Sequence, residues 1–354
     1  MSLEARIATT APSVQVRAFE ERDRAAWDAF VIAHPEGTFF HRIGWRAIFA
    51  EEFGLKPRYL VAMRGDGIAG VLPLVHQKSI LFGNALIAAP FCVEGGPLAH
   101  DDDARRALDD AAQRIFAETR ADYLEFRSRK ASREGWLARR ELYATFRRPI
   151  SADHEANLKD IPRKQRAVVR KSLTSGLKSE VDESAARLYR VYSESVRNLG
   201  TPVFARRYFE RLKAVFGADC DIVVVLDEGE PVSAVLNFYF NKAVLPYYGG
   251  GTIGARRNGA NDFLYWEVMR RAADRGCRLF DFGRSKAGTG AFAFKHNWGF
   301  EPEWLEYEYR LKSGDALPEK NPNNPKFALL IEAWKRLPLP VANALGPLLV
   351  KGLG

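Results

Sequence analysis

Ile222-Val223-Val224-Val225, Asp227-Glu228-Gly229 and Val232-Ser233-Ala234-Val235-Leu236 follow one another almost without a break. Two β-branched runs around a Glu-Gly turn predict a β-hairpin. The first half of the chain carries its echo. Tyr59-Leu60-Val61-Ala62 leads to the turn Gly65-Asp66-Gly67 and then to Ile68-Ala69-Gly70-Val71-Leu72. Upstream of each hairpin stands an aromatic-rich helical pattern ending in Phe-Gly. Gly37-Thr38 to Phe53-Gly54 and Gly200-Thr201 to Phe216-Gly217 have the same length, at an offset of 163. Downstream, a further strand is followed by a glycine pair, Gly95-Gly96 or Gly249-Gly250. A helix and a strand close each half: Ala111 to Thr119 with Tyr123 to Ser128, and Glu267 to Arg275 with Leu279 to Ser285. Each half thus reads helix, hairpin, strand, helix, strand. That order predicts a mixed sheet flanked by helices, an α/β fold with α+β layering, built twice. The boundary falls between Pro149 and Pro162. It gives units over 14–150 and 151–315 and a tail over 316–354.

The chain of 354 residues is long enough for two domains, and at 47% hydrophobic and 27% charged it reads as globular. Lys and Arg number 53 against 44 Asp and Glu, a net charge of +9. This excess favours anionic partners such as nucleotide-linked sugars, CoA, tRNA or anionic lipid headgroups, or serves solubility alone; DNA is not expected. Cys92, Cys220 and Cys277 lie far apart, which predicts no metal site and no disulfide framework and fits a reducing compartment, the cytoplasm. Met1 to Pro12 lacks an apolar core of signal-peptide length, and no window reaches the ~18 apolar residues of a membrane span. The absence of a Walker loop, of HExxH and of G-x-S-x-G argues against P-loop kinases, zincins and the common serine hydrolases.

The two halves differ where chemistry would sit. In the second, Leu279-Phe280-Asp281-Phe282 ends at Gly283, and a glycine-rich loop follows with Arg284 and Lys286. Cations on such a loop at a strand's C-terminal end suit an anionic, phosphate-bearing ligand. Lys295 then stands among Phe292, Phe294, Trp298 and Phe300, partly desolvated and suited to stabilise charge at a reacting carbonyl. Asp281 is either a general base or the residue that orients Arg284. Gly249-Gly250-Gly251-Thr252-Ile253-Gly254 fits G-x-G-x-x-G, but it lies too late in the chain for a dinucleotide fingerprint. It reads either as a close backbone approach or as a strand offering N–H groups to an acyl carbonyl. Asn261 or Asp262 either caps the helix opening near residue 263, or leaves its N–H groups free for phosphate. Arg163, Arg166 and Arg170 share one helical face, either solvated or touching phosphate. The apolar, proline-broken tail from Leu337 to Lys351 either packs across the domains or touches a bilayer surface.

Several of these stretches carry a family resemblance. Phe294-Lys295-His296-Asn297-Trp298-Gly299 resembles the Phe-Lys-x-x-Phe/Trp-Gly element of the FemAB family, the aminoacyltransferases that build peptidoglycan cross-bridges. Arg163 to Lys171 with Gly176-Leu177 resembles the basic helix opening that family's second domain. Thr38-Phe39-Phe40-His41-Arg42-Ile43-Gly44-Trp45 and Pro90-Phe91-Cys92-Val93-Glu94-Gly95-Gly96-Pro97 resemble a subgroup associated with exosortase (PEP-CTERM) and exopolysaccharide gene clusters. The element order matches the GNAT acetyltransferase topology, which that family carries twice. The stretch Arg256 to Asp262 loosely resembles the GNAT pyrophosphate loop, with Asn261 departing from it.

The resemblance implies transfer of an activated acyl or aminoacyl group to an amine or hydroxyl of a cell-envelope or exopolysaccharide precursor. It implies acyl-CoA or aminoacyl-tRNA as cosubstrate, no permanently bound cofactor and a nucleotide- or lipid-linked sugar acceptor. The family's long coiled-coil arm is not evident, since 183–216 is too short for it, which weakens the case for tRNA. Two rivals are a tRNA-dependent peptidoglycan bridge aminoacyltransferase and a non-catalytic GNAT-like module holding an anionic glycan or RNA. On this reading Lys295 and Asp281 are catalytic. Gly249, Gly250, Arg256, Gly259, Arg284 and Lys286 hold the donor or its phosphates. Arg166, Arg170, His41 and Arg42 face the acceptor or an anion, and the first half shapes the acceptor side.

Overall fold

The computed structural model describes residues 13–79, 83–312 and 325–351. In the first half the strands are β1 (Val14–Ala18), β2 (Lys56–Pro57), β3 (Leu60–Arg64), β4 (Gly67–Leu72), β5 (Leu74–Ser79), β6 (Gly83–Ala88), β7 (Leu98–Ala99), β8 (Tyr123–Ser128) and β9 (Leu137–Pro149). Its helices are α1 (Arg24–Ala33), α2 (Gly44–Glu51) and α3 (Asp102–Thr119). The second half opens with α4 (His154–Asp160) and α5 (Arg163–Leu173), and continues with β10 (Lys178–Val181), α6 (Ala186–Asn198) and α7 (Arg206–Phe216). Then come β11 (Cys220–Asp227), β12 (Glu230–Phe240), β13 (Ala243–Gly251), α8 (Ala260–Asp274), β14 (Leu279–Asp281), β15 (Ser285–Lys286), α9 (Gly290–Asn297) and β16 (Pro302–Leu311). The tail forms α10 (Pro325–Arg336) and α11 (Leu339–Val350).

The predicted hairpins form. Asp227 pairs with Glu230, so the turn is Glu228-Gly229, both with positive φ, as a tight two-residue hairpin turn requires. Arg64 pairs with Gly67 around Gly65-Asp66. In each half a strand then lies parallel to the strand after the next helix: β6 beside β8, and β13 beside β14. The mixed sheet flanked by helices is therefore built twice.

The glycine pairs are not equivalent, contrary to the expectation. Gly250 faces Ala234 and Gly249 faces Val235. The matching ladder positions on β4, Gly70 and Val71, face Ala99 and Leu98 instead. Gly95 is bridged to Arg127, because the chain makes an extra excursion over 89–97.

The halves also exchange their last strands. β9 leaves the first half to pair with β14, and β16 returns from the second half to pair with β8. β9 and β16 pair with each other, so one sheet runs β10-β11-β12-β13-β14-β9-β16-β8-β6-β5-β2 through both halves. A second sheet holds β1-β3-β4-β7. The core is continuous as well. Phe39 stacks on Phe238 at 4.2 Å, and Trp45 lies 5.4 Å from Phe216, so aromatic rings of the first half interlock with those of the second.

Candidate active site

The split between β13 and β14 opens the site. Their parallel pairing ends at Val244 and Phe280, after which β13 continues to Gly251 without β14. Between Leu236/Tyr248 and Asn237/Pro246 the β12–β13 register shifts, so Tyr247 is an extra, bulged residue. Such a bulge re-aims the backbone and side chains next to it. The Tyr247 hydroxyl donates to the Phe91 carbonyl of the first half at 2.8 Å. Beyond the bulge, successive glycines face opposite helices. A Cβ on Gly250 would stand 2.6 Å from Ser195 Cβ of α6, and one on Gly249 would stand 2.8 Å from the Tyr265 hydroxyl of α8. Only glycine lets both helices close on this strand.

The chain then turns through 253–256 into α8, whose cap residue is Gly259 in the left-handed region at φ 72°. No side chain caps the first-turn amides from that position. Asn261 is engaged elsewhere: its Oδ1 accepts from Ser233 Oγ at 2.6 Å. Asp262 Oδ1 accepts from the Trp298 indole at 2.9 Å and from Gln165. Of the two alternatives, the side-chain cap is absent, and the helix start borders an open cleft of about 390 Å³. The cleft is lined by residues 255–259, Asn261 and Asp262, by Val168 and Lys171 of α5, and by Phe294 of α9. Arg256 and Arg257 are exposed at its lip. Uncapped helix amides with three nearby cations suit a phosphate group.

α9 carries Lys295 and is fixed at both ends. Thr289 caps it by accepting from the Phe292 amide at 3.3 Å. At the other end, Arg148 of the exchanged strand β9 donates to the Trp298 carbonyl at 3.2 Å. Trp298 itself is fully buried and tied to Asp262 of α8. This holds the Lys295 ammonium against the carbonyls of Gly283 at 2.9 Å and Arg284 at 3.2 Å. Phe146 and Phe282 lie within 6.0 Å of it. Burial lowers its pKa to about 7, with Asp281 opposing and Arg284 reinforcing the shift.

Asp281 is buried at the end of β14. Its Oδ1 accepts from the Gly283 amide at 2.8 Å and the Thr145 hydroxyl at 3.2 Å. Burial raises its pKa to about 6; the Gly283 bond opposes this, and the charge of Glu94 adds to it. Arg284 lies over the Tyr143 ring at 4.6 Å and donates to the Tyr307 hydroxyl at 2.9 Å. Tyr307 donates in turn to the Val93 carbonyl.

The 89–97 excursion of the first half closes the other side, held by its carbonyls. Arg127 donates to Cys92 at 2.8 Å, and the His41 ring bonds Gly96 at 3.2 Å. Glu94 pairs with Arg129 at 2.6 Å.

The sequence-predicted residues divide accordingly. Asp281, Arg284 and Lys295 come together. Arg256 and Gly259 meet at the cleft, and Gly249 and Gly250 line the strand beside it. Lys286 pairs through its backbone with Tyr143 of β9, on the strand after the Arg284 turn. The basic helix α5 does face the cleft, but through Lys171; Arg166 donates to the Lys159 carbonyl, and Arg170 is exposed and does not line it. His41 and Arg42 serve the fold. His41 is buried between Thr38 and Gly96, and burial lowers its pKa to about 4. Arg42 pairs with Asp28 and Asp219. The sequence reading missed Tyr247, Tyr307, Arg129 and Glu94 at the junction. Among the described residues no cluster of His, Cys, Asp and Glu could hold a metal ion.

Residues 156–296 match the family model described as Acetyltransferase (GNAT) domain. A search of curated proteins found no match. Among solved structures the chain is similar to FemX, at 16% identity and a TM-score of 0.64, over 82% of this chain and 96% of that one. It is also similar to a tandem GNAT protein from the clavulanic acid biosynthesis pathway, at 12% identity and a TM-score of 0.54, over 86% of this chain and 100% of that one. A third is L-PGS from Bacillus licheniformis, at 15% identity and a TM-score of 0.54, over 90% of this chain and 99% of that one. The chain therefore has a tandem GNAT-like fold, and the match to the GNAT acetyltransferase model falls in its second half.

Proposed function

We propose that this protein is an N-acyltransferase or aminoacyltransferase whose reacting centre lies in the second half, at the split between β13 and β14. The donor is an activated acyl group on a phosphate-bearing carrier, acyl-CoA or aminoacyl-tRNA, with its phosphates in the cleft at the start of α8. The acceptor is an amine or hydroxyl of a cell-envelope or exopolysaccharide precursor entering between the halves, past Glu94 and Arg129. Asp281 takes the proton of the attacking group. Lys295, held by two carbonyls, gives its remaining N–H to the oxyanion together with backbone amides of β13. The intermediate collapses, and the carrier leaves as a thiol or ribose hydroxyl with the proton that Asp281 took.

The observation that carries this reading is the grouping of Lys295, Asp281 and Arg284 beside an uncapped, cation-lined helix start. The GNAT match over 156–296 and the likeness to FemX support it. The test is to incubate pure protein with a panel of acyl-CoAs and aminoacyl-tRNAs, an amine-bearing sugar nucleotide being present. Release of CoA thiol or deacylated tRNA is expected for one donor class. Retention of a glycan or RNA with every donor left intact would favour a non-catalytic binding module instead.

A further inference from the structure

α11 is apolar apart from Asn343, yet only one side of it is covered. Ala342, Gly346 and Val350, spaced by four, are buried. Gly346 is so close to Val203 that a Cβ there would lie 2.7 Å from the Val203 carbonyl. The opposite stripe is Val341, Ala344, Leu345 and Leu348, at helical spacing, and all four are exposed, Leu348 to 69%. A helix apolar all round is normally buried all round.

The stripe belongs to a larger patch. Leu329 and Leu330 of α10 are 81% and 63% exposed, and Leu199 at the end of α6 is 68% exposed. These elements adjoin. Arg197 donates to the Lys335 carbonyl at 3.1 Å, Gly200 lies against Ile331, and Asn343 reaches Ser193 at 3.4 Å. Of the thirteen exposed large hydrophobic residues described, six lie in this one region, so the clustering is not the scatter of an ordinary surface.

Charge decides what covers it. Glu332 of α10 pairs with Lys335 at 2.6 Å, and from Ala333 to Gly354 the sequence holds two further cations, Arg336 and Lys351, and no further acid. Arg336 and Lys351 are exposed at opposite ends of α11. A second copy of this basic chain would set these cations against themselves. An apolar stripe with a cation at each end complements an anionic lipid surface.

We infer that α10 and α11 seat this protein on an anionic bilayer as a peripheral contact. No described helix is long and apolar enough to cross a membrane. α11 also reaches the first half, where Gln77 donates to the Lys351 carbonyl at 3.3 Å, so the contact orients both halves on the surface. This inference stands apart from the acyl-transfer reading, because it uses none of the site residues.

The test is co-sedimentation of the full chain with vesicles of phosphatidylcholine alone, and of phosphatidylcholine mixed with phosphatidylglycerol. Binding is expected only to the mixed vesicles, and it should weaken as salt is raised. The double substitution Leu345→Asp with Leu348→Asp, at exposed positions, should cut the bound fraction at least about tenfold. Arg336→Glu with Lys351→Glu should do the same and keeps the test open if the first variant misfolds. Three results would overturn the inference: wild type that binds neither vesicle, variants that bind as well as wild type, or a solution dimer that the aspartates convert to monomer.

Discussion

Lys295 and Asp281 sit on either side of the same carbonyl-lined turn, and their environments push their pKa values toward each other. Burial brings Lys295 down to about 7 and Asp281 up to about 6. In the proposed chemistry Asp281 works deprotonated and Lys295 works protonated. Turnover should therefore rise as pH passes about 6 and fall as pH passes about 7, a narrow bell. A pH–rate profile flat from about pH 5 to 9 contradicts these roles. Lys295→Met removes the donated N–H while keeping an apolar stem among Phe146 and Phe282. It should cut turnover about a hundredfold with little change in donor affinity, as loss of one oxyanion donor does. Lys295 was legible in the sequence from its Phe-Lys-x-x-Trp-Gly setting, but the rings that flank its ammonium are Phe146 of β9 and Phe282, not the nearby ones the sequence offered. Lys171 was not singled out. Helical spacing tells which cations share a face of α5, but not which face turns toward α8. Tyr247 and Tyr307 were invisible for a similar reason: a register shift and an exchanged strand bring them to the junction, and neither leaves a local pattern.

At the scale of elements, α9 owes its position to bonds with α8 and β9. Asp262→Ala strands the buried Trp298 indole and loosens the joint that aims Lys295. It should cost about 1–3 kcal/mol of stability, the usual cost of leaving a buried donor without a partner. Denaturant unfolding measures it, and an unchanged midpoint would show that Trp298 holds α9 by packing alone. β13 makes a similar demand. Gly250→Ala drives a Cβ to 2.6 Å from Ser195. It should push α6 off the strand at a cost of about 1–3 kcal/mol, as overpacking does. An alanine variant as stable as wild type would mean that α6 yields there freely. The hairpins were readable because each turn's chemistry lies within four residues. The uncapped start of α8 was left open by the sequence, since Asn261 and Asp262 are good capping residues in isolation. In the fold, Ser233, Gln165 and Trp298 claim their side chains first.

Across the whole molecule, the two halves interlock. Each completes its sheet with the other's last strand, and the Phe39–Phe238 stack joins their cores. The repeat in the sequence predicted two copies of one layered fold and could not predict the exchange. β9 and β16 read as strands wherever they pair, and their partners are set by contacts more than a hundred residues apart in the chain. A segment spanning 151–315 and produced alone would lack β9, leaving β14 with β13 on one side only and α9 without Arg148. It should show no cooperative unfolding transition until a chain spanning 14–150 is supplied; a cooperative transition in the lone segment would contradict the interlock.

Whether Lys295 serves acyl transfer is tested by following donor consumption by the intact chain and by Lys295→Met across the same panel of acyl-CoAs and aminoacyl-tRNAs. Wild type is expected to discharge one donor class, and the folded variant to discharge it about a hundredfold more slowly. Equal rates in the two proteins, or no discharge by folded wild type, would contradict that role.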